Sequence, residues 1–443
     1  MDTAVTVRGV IPHAQGLPHE LLAEIFLHHL KLVEESYPRP NLPPSLLLCQ
    51  ICSTWRHVAL GTPKLWTSFS LMGKEVKGGR VDHVSFAKAW LARAHPYPLY
   101  VIITVRPKAH QVSRIVDAIL PSAHRLRFLL LHLPYTHFQP LVDFPAGSMP
   151  LLEVVELSVV TGRSDYTLEA EPEMRRIAAF EAAPSLWSVT LSPTGLFGSD
   201  TLVPWSQLTS LEIDDQSADI CRNAFIQCTD LVDCTLSMDV WREEDVVDVP
   251  VVILPHLQRL EVTFSGEGNP SPFFRPLNLP TLKDLTVTAY NVHIWHHPIF
   301  MEFTLRSSLD LERLCLSGVY IDGDQLLEFL SHMRSLVELD ITLSVCLNDQ
   351  LLDALCYRGT TGQHLVPKLK TLLLSEIPDH INDNGIASMI ESRWWTDDAP
   401  RMVSRLERVL VDLEDRDIDA RAREKLERCR EEGLDLQFSL YNP

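Results

Sequence analysis

One phrase recurs through most of this chain: a leucine, two residues of any kind, an apolar residue, one of any kind, and a second apolar residue. It appears as Leu126/Leu129/Leu131, Leu152/Val155/Leu157, Leu186/Val189/Leu191, Leu208/Leu211/Ile213 and Leu231/Cys234/Leu236. It continues as Leu257/Leu260/Val262, Leu282/Leu285/Val287, Leu311/Leu314/Leu316, Leu336/Leu339/Ile341, Leu369/Leu372/Leu374 and Leu406/Val409/Val411. The first leucines of the eleven copies stand 26, 34, 22, 23, 26, 25, 29, 25, 33 and 37 residues apart. Proline stands two residues ahead of the leucine in several copies, at Pro150, Pro184, Pro255, Pro280 and Pro367. One such phrase means little, because leucine is abundant. Eleven at near-regular spacing describe units that cannot bury an apolar face alone and must stack on one another.

The physics is that of a leucine-rich repeat. The last two apolar positions alternate inward on a short strand, while the first leucine packs under the incoming turn. Each strand pairs with the next in a parallel sheet, and return segments cross the outer face. Helical patterns place those returns at 171–183, 217–228, 322–333, 348–357 and 382–395. The asparagine of regular repeats, three residues beyond the strand, is mostly missing, so the expected solenoid is irregular. The competing layout is a set of separate α/β domains. Upstream, 82–95 reads as an amphipathic helix with Val84, Ala87, Trp90, Leu91 and Ala94 on one face, and 99–105 reads as a buried strand. Downstream, 419–432 reads as a final helix. A capping strand at 434–440 is expected, because a solenoid has to cover its end.

A length of 443 residues exceeds one ordinary core, which holds roughly 100–200 residues. A repeat array escapes that limit because each unit packs only on its neighbours. Hydrophobic content of 46% with 22% charged residues is globular. The formal net charge of −19 disfavours nucleic acid as a partner, since phosphate binding needs a basic face. Residues 1–16 carry Asp2 and Arg8 but no apolar run, so they are read as a flexible tail and no signal peptide is expected. No apolar stretch reaches the ~18–20 residues of a spanning helix. Nine scattered cysteines, an odd number, point to reduced thiols and a cytoplasmic or nuclear protein.

The usual signatures of catalysis are missing from the sequence: no G-x-S-x-G, no phosphate-binding glycine loop and no H-E-x-x-H. Gly266 and Gly268 lie in a Pro/Ser loop. Cys49-x-x-Cys52 has no second pair to complete the four ligands of structural zinc, and is read as small core residues. His293, His296 and His297 share a helix-compatible spacing but have no local carboxylate or cysteine. Asp415, Asp417 and Asp419 mimic the start of a calcium loop, yet Ala420 replaces its turn glycine and Leu426 its bidentate glutamate. Trp394 and Trp395 are read as packing beneath the next repeat, with a binding role as the minority reading. Arg259 and Arg313, near the strands, are candidate phosphate contacts or ordinary surface residues. No cofactor, metal or enzymatic activity is expected. Lysine is scarce: ten against 29 arginines, with none between Lys108 and Lys283.

Ahead of the repeats, 17–66 has its own grammar. Leu17-Pro18 opens a helix, where proline costs no hydrogen bond, and Glu20 and Glu24 suit the positive end of the helix dipole. Leu21, Leu22, Ile25, Phe26 and Leu30 form one apolar stripe. Four prolines between Pro38 and Pro44 impose a loop. Ser45 is the expected N-cap of a second helix over 46–51. Ser53 begins a third, with Trp55, Val58 and Ala59 inward and Gly61 as its stop. A turn at 62–66 buries Leu65 and Trp66. Three short helices in about 50 residues make a weak core, which predicts dependence on a partner or on the domain behind.

This pattern resembles the F-box, in the divergent form common in mushroom-forming fungi. The resemblance rests on Leu17-Pro18-x-Glu20-Leu21-Leu22-x-Glu24-Ile25-Phe26, then Cys52-x-x-Trp55-Arg56-x-Val58-Ala59, then Pro63-x-Leu65-Trp66. The sequence departs from it in the long proline-rich loop and in the second cysteine, Cys49. The implied organisation is α/β: an F-box-like three-helix module (17–66), a linker with an amphipathic helix (67–97), and an irregular leucine-rich-repeat solenoid with a parallel sheet and outer helices (98–443). The resemblance implies a substrate-recognition subunit of an SCF-type ubiquitin ligase. The module docks on a Skp-family adaptor, and through it on cullin and RING subunits; the repeats hold a protein substrate. It places the adaptor contacts at Leu17, Pro18, Leu21, Leu22, Ile25, Cys52, Trp55, Leu65 and Trp66. The alternative is a non-catalytic interaction scaffold that does not direct ubiquitylation.

Overall fold

The computed structural model describes residues 17–34, 43–72, 82–104, 112–160, 177–192, 203–216, 221, 226–238, 250–265, 269–290, 295–342, 347–359, 364–377, 381–397, 401–413 and 418–439. The chain divides into two compact units: residues 1–190 with 196–204, and residues 191–195 with 205–443.

The first unit begins with three helices, α1 (His19–Glu34), α2 (Pro44–Ile51) and α3 (Ser53–Leu60). Cys52 is the N-cap of α3, its Sγ accepting from Trp55 N, and Gly61 closes the helix. The N-cap of α2 is Pro43, not Ser45; the helix starts early because Pro44 suits its first turn, and Ser45 is buried instead. A 3-10 turn, Pro63–Trp66, leads into strand β1 (Ser68–Met72). Then come α4 (His83–Arg93), β2 (Leu99–Thr104), α5 (Val112–Ile119), β3 (Leu126–Leu133) and β4 (Val154–Val159), followed by β5 (Ser188–Ser192), within which the division between the units falls. The strands lie side by side in chain order, and the β1–β2, β2–β3 and β3–β4 pairs are parallel. The sheet thus starts at Ser68, inside the stretch read from sequence as a linker. Phe69 supplies the inward residue of β1 where a repeat would have leucine, so the phrase is not visible there.

The second unit holds β6 (Ser210–Gln216), β7 (Asp233–Met238), β9 (Arg259–Phe264), β11 (Asp284–Ala289), β12 (Arg313–Ser317), β13 (Glu338–Thr342), β14 (Thr371–Ser375), β15 (Arg408–Asp412) and β16 (Asp435–Ser439), adjacent in that order and parallel. Two short strands, β8 (Val252–Ile253) and β10 (Leu277–Asn278), pair separately. From β11 to β15 each strand is followed by a helix: α6 (His297–Ser307), α7 (Gly323–Ser331), α8 (Asp349–Leu355), α9 (Asp383–Ser392) and α10 (Ala420–Glu431). This is the mixed α/β architecture of a leucine-rich-repeat solenoid, with parallel strands on one side and returning helices on the other.

All eleven sequence phrases fall on strands and the turns that enter them, and their apolar residues are buried. Register aligns them into ladders. Leu260, Leu285, Leu314, Leu339, Leu372, Val409 and Leu436 form one row; Val262, Val287, Leu316, Ile341, Leu374 and Val411 form the next. Each such side chain gives about 1.5–3 kcal/mol on full burial, so a repeat is held by its neighbours' rows rather than by local propensity.

Two return segments differ from expectation. In 171–183, the described residues from Ile177 onward form turns, and the rest lies outside the described residues. Most of 217–228 also lies outside them, as do 1–16, 35–42, His293, Asp415, Asp417 and the 266–268 loop. Helices α5 and α6 were not legible in the sequence.

Candidate docking surfaces

Helix α1 splits its apolar stripe in two. Leu22 and Phe26, one turn apart, are each 1% exposed, whereas Leu21 and Ile25 are 52% and 49% exposed. Phe26 packs on Trp55, ring centroids 4.8 Å apart, and Leu48 and Val58 complete the small core. Helix α2 repeats the division: Leu48 is inward, while Leu47 and Ile51, again one turn apart, are 46% and 50% exposed. An i, i+4 pair lies on one helix face. Each of these helices therefore shows solvent a ridge of two large aliphatic side chains.

Of the nine residues assigned to adaptor contact, Leu22, Leu65 and Trp66 are buried, each 1% exposed. Trp66 donates its indole N–H to Ala59 O at 2.8 Å and stands edge-on to Trp90 of α4, centroids 4.7 Å apart. Trp66 thereby joins the turn after α3 to α4, with Arg93 5.1 Å over its ring. Trp55 and Cys52 are half-buried, engaged with Phe26 and as the α3 cap; Leu17 is half-buried and Pro18 exposed. Leu21 and Ile25 remain as the large exposed members. Leu47, Ile51 and Leu60 are exposed as well; the run of three leucines at 46–48 does not say by itself which will face inward.

The sheets offer a second kind of surface. In each strand, buried residues alternate with outward ones. In the first unit the outward positions are mixed. Ser68, Tyr100, Phe128 and Val154 stand in register, and Ser70, Ile102, Leu130 and Glu156 form the next row. His132 follows, its imidazole pushed toward the neutral form by burial.

In the second unit the outward face is polar from β7 to β13, with Leu373 and Leu410 outward on β14 and β15. Asp233, Arg259, Asp284, Arg313 and Glu338 stand in register on five adjacent strands. Arg259 reaches Asp233 at 2.6 Å and Asp284 at 3.7 Å; Arg313 reaches Asp284 at 3.4 Å and Glu338 at 3.0 Å. The guanidinium fork lets each arginine serve two strands. Both are therefore already paired with carboxylates, which argues against the phosphate role considered from sequence. Burial raises the Asp284 carboxyl above its usual range, and the two arginines oppose that. The next row runs Thr235, Glu261, Thr286, Cys315 and Asp340, and beyond it Ser237, Thr263, Thr288, Ser317, Thr342 and Ser375.

Several of the polar residues singled out in the sequence are engaged in packing and capping. Among the described residues, no group of three or more His, Cys, Asp or Glu is placed to hold a metal ion. His297 is buried, its Nε2 2.9 Å from Glu328 Oε2, which ties α6 to α7. His296 is the N-cap of α6. Asp419 is the N-cap of α10, accepting from Arg421 N and Ala422 N. Ser113 Oγ lies 2.6 Å from His137 Nδ1, tying α5 to the turn after β3. Burial pushes the Cys221, Cys228 and Cys315 thiols up to about 12, away from the reactive thiolate. Trp394 donates to Glu432 just beyond α10, and Arg401 covers the Trp395 ring at 4.3 Å, so both indoles are held in packing contacts. No helix is long and apolar enough to cross a membrane among the described residues.

No protein-family model matches the chain, and no curated protein matches it. Among solved structures, the mouse RP105/MD-1 complex matches over 79% of this chain and 68% of that chain, at 11% identity with a TM-score of 0.32. The Drosophila Toll–Spatzle complex matches over 79% of this chain and 57% of that chain, at 14% identity with a TM-score of 0.31.

Proposed function

We propose that this chain is a substrate receptor of an SCF-type ubiquitin ligase, acting in the cytoplasm or nucleus. Its N-terminal helices dock on a Skp-family adaptor, and the outward faces of its strands hold a protein substrate. The carrying observation is the half-exposed aliphatic pair on α1, Leu21 and Ile25, outside a core already closed by Leu22 and Phe26. Apolar side chains of this size, set in pairs on short helices, gain most from an interface that removes them from water. The F-box resemblance supplies the kind of partner. The protein contributes proximity rather than bond chemistry: a tethered substrate meets the transfer centre at high effective concentration.

Co-expression with a Skp-family adaptor and its cullin tests the reading. The expected result is a stable complex containing all three. Recovery of adaptor without cullin supports the scaffold alternative instead. Failure of the chain to retain the adaptor removes the ligase reading and leaves the scaffold.

A further inference from the structure

Cys49 and Cys52 are not the small core residues that their spacing suggests: both are half-buried, and both carry free thiols. Among the other described cysteines, Cys221, Cys228, Cys234 and Cys429 are buried, and Cys315 and Cys356 are half-buried in separate repeats. Cys49 lies in the last turn of α2, and Cys52 is the residue that ends that helix. Because Gln50 and Ile51 are still helical, the Cα of Cys52 stands where the next residue of the helix would. Helix geometry puts such a pair about 5 Å apart, inside the roughly 4.4–6.8 Å that a disulfide spans between Cα atoms.

Two further contacts hold the pair in place. Arg56 of α3 donates its Nε to Cys49 O at 2.8 Å, which ties the end of α2 to the helix that Cys52 opens. Cys52 Sγ accepts from Trp55 N at 3.4 Å as the cap of α3. Serine, threonine, aspartate and asparagine fill such a position best, so capping alone does not account for a cysteine there. Burial raises the Cys49 thiol, with Arg56 and Arg93 opposing.

We propose that Cys49 and Cys52 form a reversible redox site, oxidised to a disulfide by hydrogen peroxide and returned to the dithiol by a thiol reductant. The site stands independently of the ligase reading. Cys52 attacks first: its thiolate bonds to one peroxide oxygen, the O–O bond breaks, and the departing hydroxide takes a proton and leaves as water. The Cys49 thiolate then attacks the sulfenic sulfur; the S–S bond forms, the S–O bond breaks and a second water leaves. Two electrons pass from the sulfurs to the peroxide. The experiment treats the full chain with hydrogen peroxide, unfolds it in maleimide, digests it and maps the peptides by mass spectrometry. Cys52→Ser keeps a capping oxygen while removing the first thiol, and Cys49→Ser removes the resolving thiol; melting temperatures confirm that both variants fold. In the wild type the peptide holding both residues is expected to be two hydrogens lighter, its maleimide capture cut about tenfold and restored by dithiothreitol, while Cys221 and Cys228 stay fully captured. Cys49→Ser is expected to stop at the Cys52 sulfenic acid, which dimedone traps. Full maleimide capture at both positions after peroxide, a wild-type peptide made heavier by oxygen instead, or a link from either residue to another cysteine overturns the inference. Dimedone capture at Cys49 in Cys52→Ser overturns the order of attack.

Discussion

At the residue scale, burial decides roles that composition cannot. Arg393 is 1% exposed, and its guanidinium donates to Leu355 O at 2.6 Å, Leu365 O at 2.6 Å and Val366 O at 3.2 Å. Burial pulls it down to about 10, still above neutral pH. Removing it strands three backbone acceptors, each costing about 1–3 kcal/mol if left unpaired. Arg393→Met is expected to destabilise the second unit by at least ~2 kcal/mol in denaturant unfolding; an unchanged midpoint contradicts the role. The thiols make a second test. Cys221 and Cys228 ionise near 12 in the fold, against 9.0 for a thiol without burial. Below pH 9 both states keep the proton; between about 9 and 12 the unfolded chain loses it first, so stability falls as pH rises through that window. Alkylation of the native protein at pH 8 is expected to leave Cys221, Cys228 and Cys234 unmodified. Rapid labelling of those three without unfolding would contradict their burial.

At the element scale, helix starts were legible where a capping side chain existed. Asp322, Asn348, Asn382 and Asp419 each open an expected helix, and each side chain accepts a backbone N–H of the first turn. Helix α6 has no side-chain cap and follows His296, so it left no such mark. The segment at 171–183 had helical spacing but no packed helix where it is described. Strand β1 escaped because Phe69 stands where leucine was sought. The N-terminal module was legible as three helices, but not which half of its apolar stripe would face water. That is set by the packing of Phe26 in α1 on Trp55, a contact that sequence spacing does not specify. Asn348→Ala is expected to cost about 1 kcal/mol through the lost α8 cap, read as a lower midpoint with an unchanged denaturant slope; no change would mean the cap is redundant. Phe26→Ala, in contrast, opens a cavity under α1 and is expected to cost about 3–5 kcal/mol.

At the scale of the whole molecule, the two parts divide the work. The repeats grow by stacking, so their outward faces can vary without disturbing the buried ladders. One face became apolar around Tyr100 and Phe128, the other a lattice of Asp–Arg pairs. The N-terminal helices differ: their core is small, closed by Leu22, Phe26, Leu48 and Val58, and Trp66 of the turn that follows packs on Trp90 of α4. The central claim is that Leu21 and Ile25 are held at the surface for an adaptor. Titration calorimetry of a Skp-family adaptor into the wild-type chain and into Leu21→Ala with Ile25→Ala tests this directly. Loss of two interface anchors is expected to weaken binding about tenfold or more, while the melting temperature stays within about a degree or two because neither side chain is in the core. Equal affinity for the two proteins, or no measurable binding by the wild type, would contradict the account.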